Sequence, residues 1–186
     1  MSLLRFAGVT CVRGGRELFA GLSFALEPGN AILVTGPNGA GKSSLIRVAA
    51  GLLRAAAGNV AATAPRALLT EQTALDPELP LARALDFWVP RGAIGVALDT
   101  LGLTELATVP VRLLSTGQRR RAAMARVVAS GAPLWLLDEP ANGLDSDSLA
   151  RLEAAINGHR AAGGAVLVAS HTPVALPGAR IIELGA

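Results

Sequence analysis

Two kinds of apolar run divide the chain. From residue 3 to 12 apolar and polar positions alternate loosely, the period-two pattern of a half-buried strand, and Leu22–Leu26 repeats it. Later runs are continuous and short: Ala31–Thr35, Leu134–Leu137, Ala165–Ser170 and Arg180–Leu184. Such runs predict strands buried on both faces. Helical spacing fills the gaps between them. Ser43–Leu53 carries Leu45, Val48, Ala49 and Leu52 on one stripe, and Thr116–Ser130 and Asp147–Ala162 have the same period, the last ending at Gly163-Gly164. Residues 58–71 predict one or two short strands around Pro65, and residues 80–108 predict helical pieces broken near Pro90, Gly92 and Gly102. Turn compositions stand at Arg13–Arg16 and Glu27–Asn30. Buried strands alternating with helices predict an α/β fold with a mostly parallel sheet covered on both faces, and the early alternating strands predict a small antiparallel addition.

Composition narrows the class. In 186 residues, 51% are apolar and 17% charged, enough for a full core in one domain, here 1–186. No apolar run approaches the length of a membrane span, so attachment to a membrane is expected only through a partner. Met1–Phe6 lacks the charged head and apolar stretch of a signal peptide, and a cytoplasmic address is expected. Cys11 is the single cysteine, which excludes an internal disulfide and reads as a buried strand residue. The net charge is +3, but the arginines are dispersed apart from Arg119-Arg120-Arg121, aromatics are 3% and there is no tyrosine. No stacking platform for bases is evident, and no nucleic-acid partner is expected.

The strongest local signal is Gly36-Pro37-Asn38-Gly39-Ala40-Gly41-Lys42-Ser43, a full G-x-x-x-x-G-K-[ST] pattern between a predicted strand and a predicted helix. Glycines let consecutive N–H groups turn inward around phosphate oxygens, and the following helix aims its positive end at the same point. Lys42 supplies a full charge to the outer phosphates and Ser43 a hard oxygen for Mg²⁺, with Ser44 next in the phosphate-contacting stretch. The expected ligands are ATP and Mg²⁺. Asp138 and Glu139 close the apolar run Leu134–Leu137. Ligands in open α/β sheets bind beyond the carboxyl ends of strands, so Asp138 is suited to Mg²⁺ and Glu139 to polarising the attacking water.

Further segments carry a resemblance. Leu114-Ser115-Thr116-Gly117-Gln118 opens a predicted helix and is followed by Arg121 and Arg126. Ala141-Asn142-Gly143-Leu144-Asp145 follows the acids, Ser170-His171 follows a buried strand, and Gln72 ends the strand Ala67–Thr70. In this order the chain resembles the ABC ATPases, with Thr116 where the family's signature has its first glycine. The resemblance covers nearly the whole chain. It implies a phosphate-loop nucleotide-binding domain with a short helical subdomain at 73–113, and roles for further residues: Gln72 at Mg²⁺ and in signalling to a membrane subunit, His171 holding the γ-phosphate and the water, and Ser115, Gly117, Gln118 and Asp145 meeting nucleotide held by an opposite subunit. It also implies a second copy of the chain, arranged head to tail around two ATP molecules.

Family members stack a tyrosine on adenine after the first strand. Here Arg13 occupies about that place, and a guanidinium plane can stack on a base, with Phe19 as a second candidate. The non-glycine Thr116, Trp135 in the acid strand, the segment Leu18–Phe24 and the short stretch between Lys42 and Ser115 resemble the branch that serves cytochrome c maturation. That branch implies a peripheral protein on the cytoplasmic face of the inner membrane, a separate integral membrane permease subunit and an association with haem handling. Leu75, Leu79, Leu81, Phe87 and Trp88 are docking candidates for the permease, each also readable as core. Alternatives are an ABC ATPase for another small substrate, a non-transport ABC ATPase acting on ribosomes or DNA, or a non-hydrolysing subunit; intact Lys42, Asp138, Glu139 and His171 speak against the last. His159, on a polar helix face, is expected in solvent.

Overall fold

A computed structural model describes residues 1–89 and 93–185. In chain order the elements are β1 (Leu4–Arg13), β2 (Arg16–Leu26), β3 (Ala31–Thr35), α1 (Lys42–Ala50), β4 (Ala57–Ala62), β5 (Arg66–Leu69), α2 (Leu81–Asp86), α3 (Ala93–Thr100), α4 (Thr116–Ala129), β6 (Leu134–Asp138), α5 (Ser146–Ala161), β7 (Ala165–Ala169) and β8 (Arg180–Glu183). The sheet order is β5-β6-β7-β3-β8 with all neighbours parallel, and a separate antiparallel sheet runs β2-β1-β4.

Side-chain alternation along the central strands makes two cores. In β6, Leu134 and Leu136 face one core while Trp135 and Leu137 face the other. In β7, Leu167 and Ala169 join the first pair and Val166 and Val168 the second. One core is closed by α1 and the antiparallel sheet, where Phe6 stacks on Phe24 with ring centroids 4.5 Å apart. The other lies under α2 to α5. Every residue of β6 and β7 is buried, as continuous apolar strands covered by helices require. Cys11 is buried in the antiparallel layer.

Four expectations are corrected. β8 is not buried on both faces: it ends the sheet as an edge strand, and Ile181 is 64% exposed. The second strand begins at Arg16 rather than Leu22, because the ladder to β1 shifts register around Gly21 and continues, a bulge rather than a strand end. Leu52 is 69% exposed instead of lying on the buried stripe. Gly51 adopts φ 76° and closes α1, with Gly51 N–H donating to Val48 and Leu52 N–H to Arg47, so the stripe stops at Ala49. His159 is half-buried, not solvated: its ring stacks on Trp135 at 3.8 Å and 6°, with Nε2 3.2 Å from the Pro133 carbonyl. The helical pieces and the break near Gly102 agree with expectation, while the break near Pro90 and Gly92 lies outside the described residues. Leu75 and Leu81 are core; Leu79, Phe87 and Trp88 are exposed.

Candidate functional site

The glycine-rich loop joins β3 to α1. Gly36 is confined by close approach, since a Cβ there would run into the Leu184 carbonyl beyond β8. Gly41 precedes α1 without any side-chain cap, and the first turn holds no acidic residue, so its N–H groups remain for an anion. Lys42 is buried, its Nζ donating to the carbonyls of Gly36 at 2.7 Å and Pro37 at 3.1 Å. The ammonium is thus held over the hollow of the loop.

Sheet order brings the remaining chemistry alongside. Because β7 lies between β3 and β6, the loop, His171 after β7, and Asp138 and Glu139 at the end of β6 open on one edge. Ser43 Oγ donates to Asp138 Oδ1 at 3.0 Å. Burial pushes the Asp138 carboxyl above its ordinary range, with the nearby Glu139 charge adding to this and the Ser43 hydrogen bond opposing it. Glu139 has φ 49°, a left-handed backbone uncommon outside glycine. Its Oε2 accepts from His171 N–H at 3.1 Å and lies 2.8 Å from Nδ1 of the same residue. An ionised carboxylate only accepts, so the 2.8 Å contact is a hydrogen bond in the ring form that places a proton on Nδ1.

A cleft of about 470 Å³ is lined by Arg13, Asn38, Gly39, Gly41, Lys42, Ser43, Ser44, Glu139 and His171. Pro37 and Ala40 stand behind it; Ala40 is buried, and its N–H bonds the Pro37 carbonyl. Gln72 does not line this cleft. It is exposed and borders an adjoining groove of about 430 Å³ with Ser43 and Asp138. Ser115, Gly117, Gln118 and Asp145 also lie outside the cleft of their own chain. Ser115 caps α4, Oγ accepting from Gln118 N–H at 3.2 Å while Gln118 Oε1 accepts from Ser115 N–H at 2.8 Å. A Cβ on Gly117 would stand 3.4 Å from the Gly143 carbonyl, so the helix tip packs tightly on the loop after the acids. Asp145 caps α5 through Ser148 N–H at 2.8 Å, and hydrogen bonds from Ser148 hold its carboxyl below the ordinary range.

Sequence reasoning missed three participants. Glu71 and Asn142 line the cleft. Arg120 is 7% exposed and donates to the carbonyls of Thr70, Asp138, Glu139 and Pro140. Its signal was present: Arg120 shares a helical stripe with Ala123, Met124 and Val127, all buried.

A phosphate loop facing an acidic strand end across a parallel sheet defines a phosphate-loop ATPase. Residues 19–142 match the ABC transporter domain family. The chain is 60% identical over 180 residues to the cytochrome c biogenesis ATP-binding export protein CcmA of Sphingopyxis alaskensis, covering 94% of this chain and 93% of that one. It is 52% identical over 176 residues to the protein of the same name from Novosphingobium aromaticivorans, covering 95% and 92%. A solved ATP-binding subunit of an ABC transporter superposes with a TM-score of 0.82 at 21% identity, over 91% of this chain and 80% of that one, a likeness of fold. The chain belongs to the ABC transporter family of ATP-hydrolysing subunits and, within it, groups with the CcmA proteins.

Proposed function

We propose that the cleft hydrolyses Mg²⁺-bound ATP between two copies of the chain, and that the cycle drives a separate membrane subunit, CcmB-like, in cytochrome c biogenesis. The observation that carries the chemistry is Glu139 in contact with His171, beside the Lys42–Ser43–Asp138 group. Lys42 and the loop N–H groups hold the β- and γ-phosphates. Both contacts from His171 fall on Oε2 of Glu139, leaving Oε1 for the attacking water. The water oxygen bonds to the γ-phosphorus, the bond from phosphorus to the bridging oxygen breaks, and the water proton passes toward Glu139. His171 holds the carboxylate and the γ-phosphate in register.

The donors present suit Mg²⁺. Ser43 Oγ and the Asp138 carboxylate are hard oxygens 3.0 Å apart, with Gln72 across the groove, and among the described residues no group of three His, Cys, Asp or Glu forms a cage. An ion that keeps waters and takes phosphate oxygens needs few protein ligands. Bound there, Mg²⁺ neutralises phosphate charge.

The tip of α4 supports the paired reading. Ser115, Gly117 and Gln118 form a capped helix start outside their own cleft, so they are free to meet the γ-phosphate in an opposite subunit, with Asp145 nearby in the contact. Arg13, on the cleft wall, stacks on adenine. For the membrane subunit, Leu79, Phe87 and Trp88 border an apolar groove of about 320 Å³. No helix among the described residues is long and apolar enough to cross a membrane, which suits a peripheral subunit on the cytoplasmic face of the inner membrane. The names of the CcmA relatives support cytochrome c biogenesis as the process; haem handling is its context by the resemblance to that branch.

The test is Glu139→Gln. It abolishes turnover, keeps ATP binding, and accumulates an ATP-dependent dimer in analytical ultracentrifugation. A variant that stays monomeric with ATP refutes the paired site. Co-purification of the same variant with the membrane subunit, lost on Phe87→Ser, tests the docking face.

A further inference from the structure

Arg120 projects from α4 into the layer between that helix and the sheet, where its guanidinium meets only backbone oxygen. Nη1 donates to Thr70 O at 2.6 Å, Nη2 to Asp138 O at 2.7 Å and also to Glu139 O, and Nε to Pro140 O at 3.4 Å. The ladder between β5 and β6 ends at Leu69 and Leu137, so the guanidinium takes up carbonyls just where the sheet stops. The ion pairs among the described residues are Arg112–Glu78 and His171–Glu139, and Arg120 enters neither. A buried cation with no carboxylate bonded to it is tolerated only when its donors are satisfied, and here a planar fork spreads them over four carbonyls.

The carbonyls it holds belong to a strained place. Among the described residues, the non-glycine positions with positive φ are Glu139 and Ala74. Glu139 sits inside the bonded run of residues 138–140, and Ala74 lies within the loop that runs from Thr70 to α2. A left-handed backbone at such a residue persists only where its surroundings over-determine it. For Glu139 those surroundings are the Ala169 carbonyl, which accepts from its N–H at 2.8 Å, and two donors on its own carbonyl, Asn142 N–H at 3.3 Å and Arg120.

We propose that Arg120 is a positioning residue for ATP hydrolysis: by clamping the carbonyls of residues 138–140 against Thr70 it holds Glu139 in the left-handed conformation that aims its carboxylate at His171 and the phosphate cleft. This rests on Glu139 acting as the base, and it adds a group that never touches nucleotide. The signature helix thereby has two separate ends of action: its tip at Ser115, and this side chain under the acid strand. Lysine cannot substitute, since one ammonium cannot reach carbonyls arranged around a plane.

The experiment compares full-length Arg120→Lys and Arg120→Gln with Glu139→Gln, measuring kcat per bound nucleotide, ATP affinity by calorimetry, and thermal unfolding. A misaimed base costs roughly 10- to 100-fold in kcat with ATP affinity kept within about twofold. In Arg120→Gly, added methylguanidinium restores part of kcat through the neighbouring cavity of about 580 Å³ that Arg120 lines; it restores none in Glu139→Gln. Full kcat in Arg120→Lys, or a loss of ATP affinity as large as the loss of kcat, overturns the proposal. If Arg120→Gln does not fold, Arg120→Lys decides alone. Normal turnover in Glu139→Gln would instead overturn the reading of the base, so the two failures are told apart.

Discussion

Replacing Lys42 by alanine removes a buried ammonium whose work can be sized from its surroundings. The Lys42 side chain is largely buried, 6% exposed as a residue, and its Nζ is already bonded to two loop carbonyls, at 2.7 and 3.1 Å. Folding has therefore met the desolvation cost of this charge, and binding does not incur it again. At about 3 Å from a phosphate oxygen and an effective dielectric of about 20, the gross attraction is roughly 5 kcal/mol. The phosphate gives up water to gain it, and hydrogen bonds to charged groups net about 1.5–3 kcal/mol. With the lysine's own cost removed, the upper end applies, about 3 kcal/mol or about 100-fold in ATP affinity. Calorimetric titration with ATP, ADP and adenosine measures it. ATP weakens most, ADP less, and adenosine hardly at all, because the contact is to the outer phosphates. An ATP loss under about threefold, or an adenosine loss equal to that of ATP, would refute the reasoning: the first removes the contact, the second shows a damaged fold.

Ser115→Ala loses the cap of α4 and about 1 kcal/mol of stability in thermal unfolding, whereas Ser115→Asp keeps the cap but sets a negative charge against the partner's phosphates. Unfolding of Ser115→Asp should match the parent while its ATP-driven dimer is absent; a normal dimer sinks the paired site. Arg13→Ala weakens ATP by roughly 0.5–2 kcal/mol and leaves inorganic triphosphate binding unchanged, and equal losses for both would remove Arg13 from the base. Burial against Trp135 pulls the His159 imidazole below its ordinary value of 6.5. The unfolded chain then binds more protons just below that pH, so the stability from neutral His159 is complete above about 6.5 and falls as pH drops toward the folded value. The acid limb of Tm against pH should flatten in His159→Phe, and an unchanged limb contradicts the assignment.

Legibility in the sequence followed distance along the chain. The phosphate loop was readable because strand, glycines, lysine and helix are contiguous, and β3 matches its predicted bounds. Asp138 and Glu139 were readable because a buried strand ends at them. The partnership of Glu139 with His171 depends on β6 and β7 lying side by side, a sheet order that no local pattern encodes. His159 was misjudged for the same reason: its helix face is polar by sequence, and only the juxtaposition with Trp135 gives it cover. Leu52 was lost to one residue, Gly51, whose cap ended the helix before the stripe did. Arg120 occupied a buried helical position in plain sight, but a charge there invites a solvent reading until the carbonyls it satisfies are known.

The placement of the two tryptophans, in a chain with no tyrosine, has a practical use. Trp135 lies sealed in the sheet with an imidazole against its face, while Trp88 is 44% exposed with the Arg126 guanidinium 5.1 Å from its ring. Their emission maxima should separate, a blue one from the sheet and a red one from the helical layer. The native protein can therefore report by fluorescence, without a label, whether an added nucleotide or membrane subunit disturbs the sheet or the helical layer.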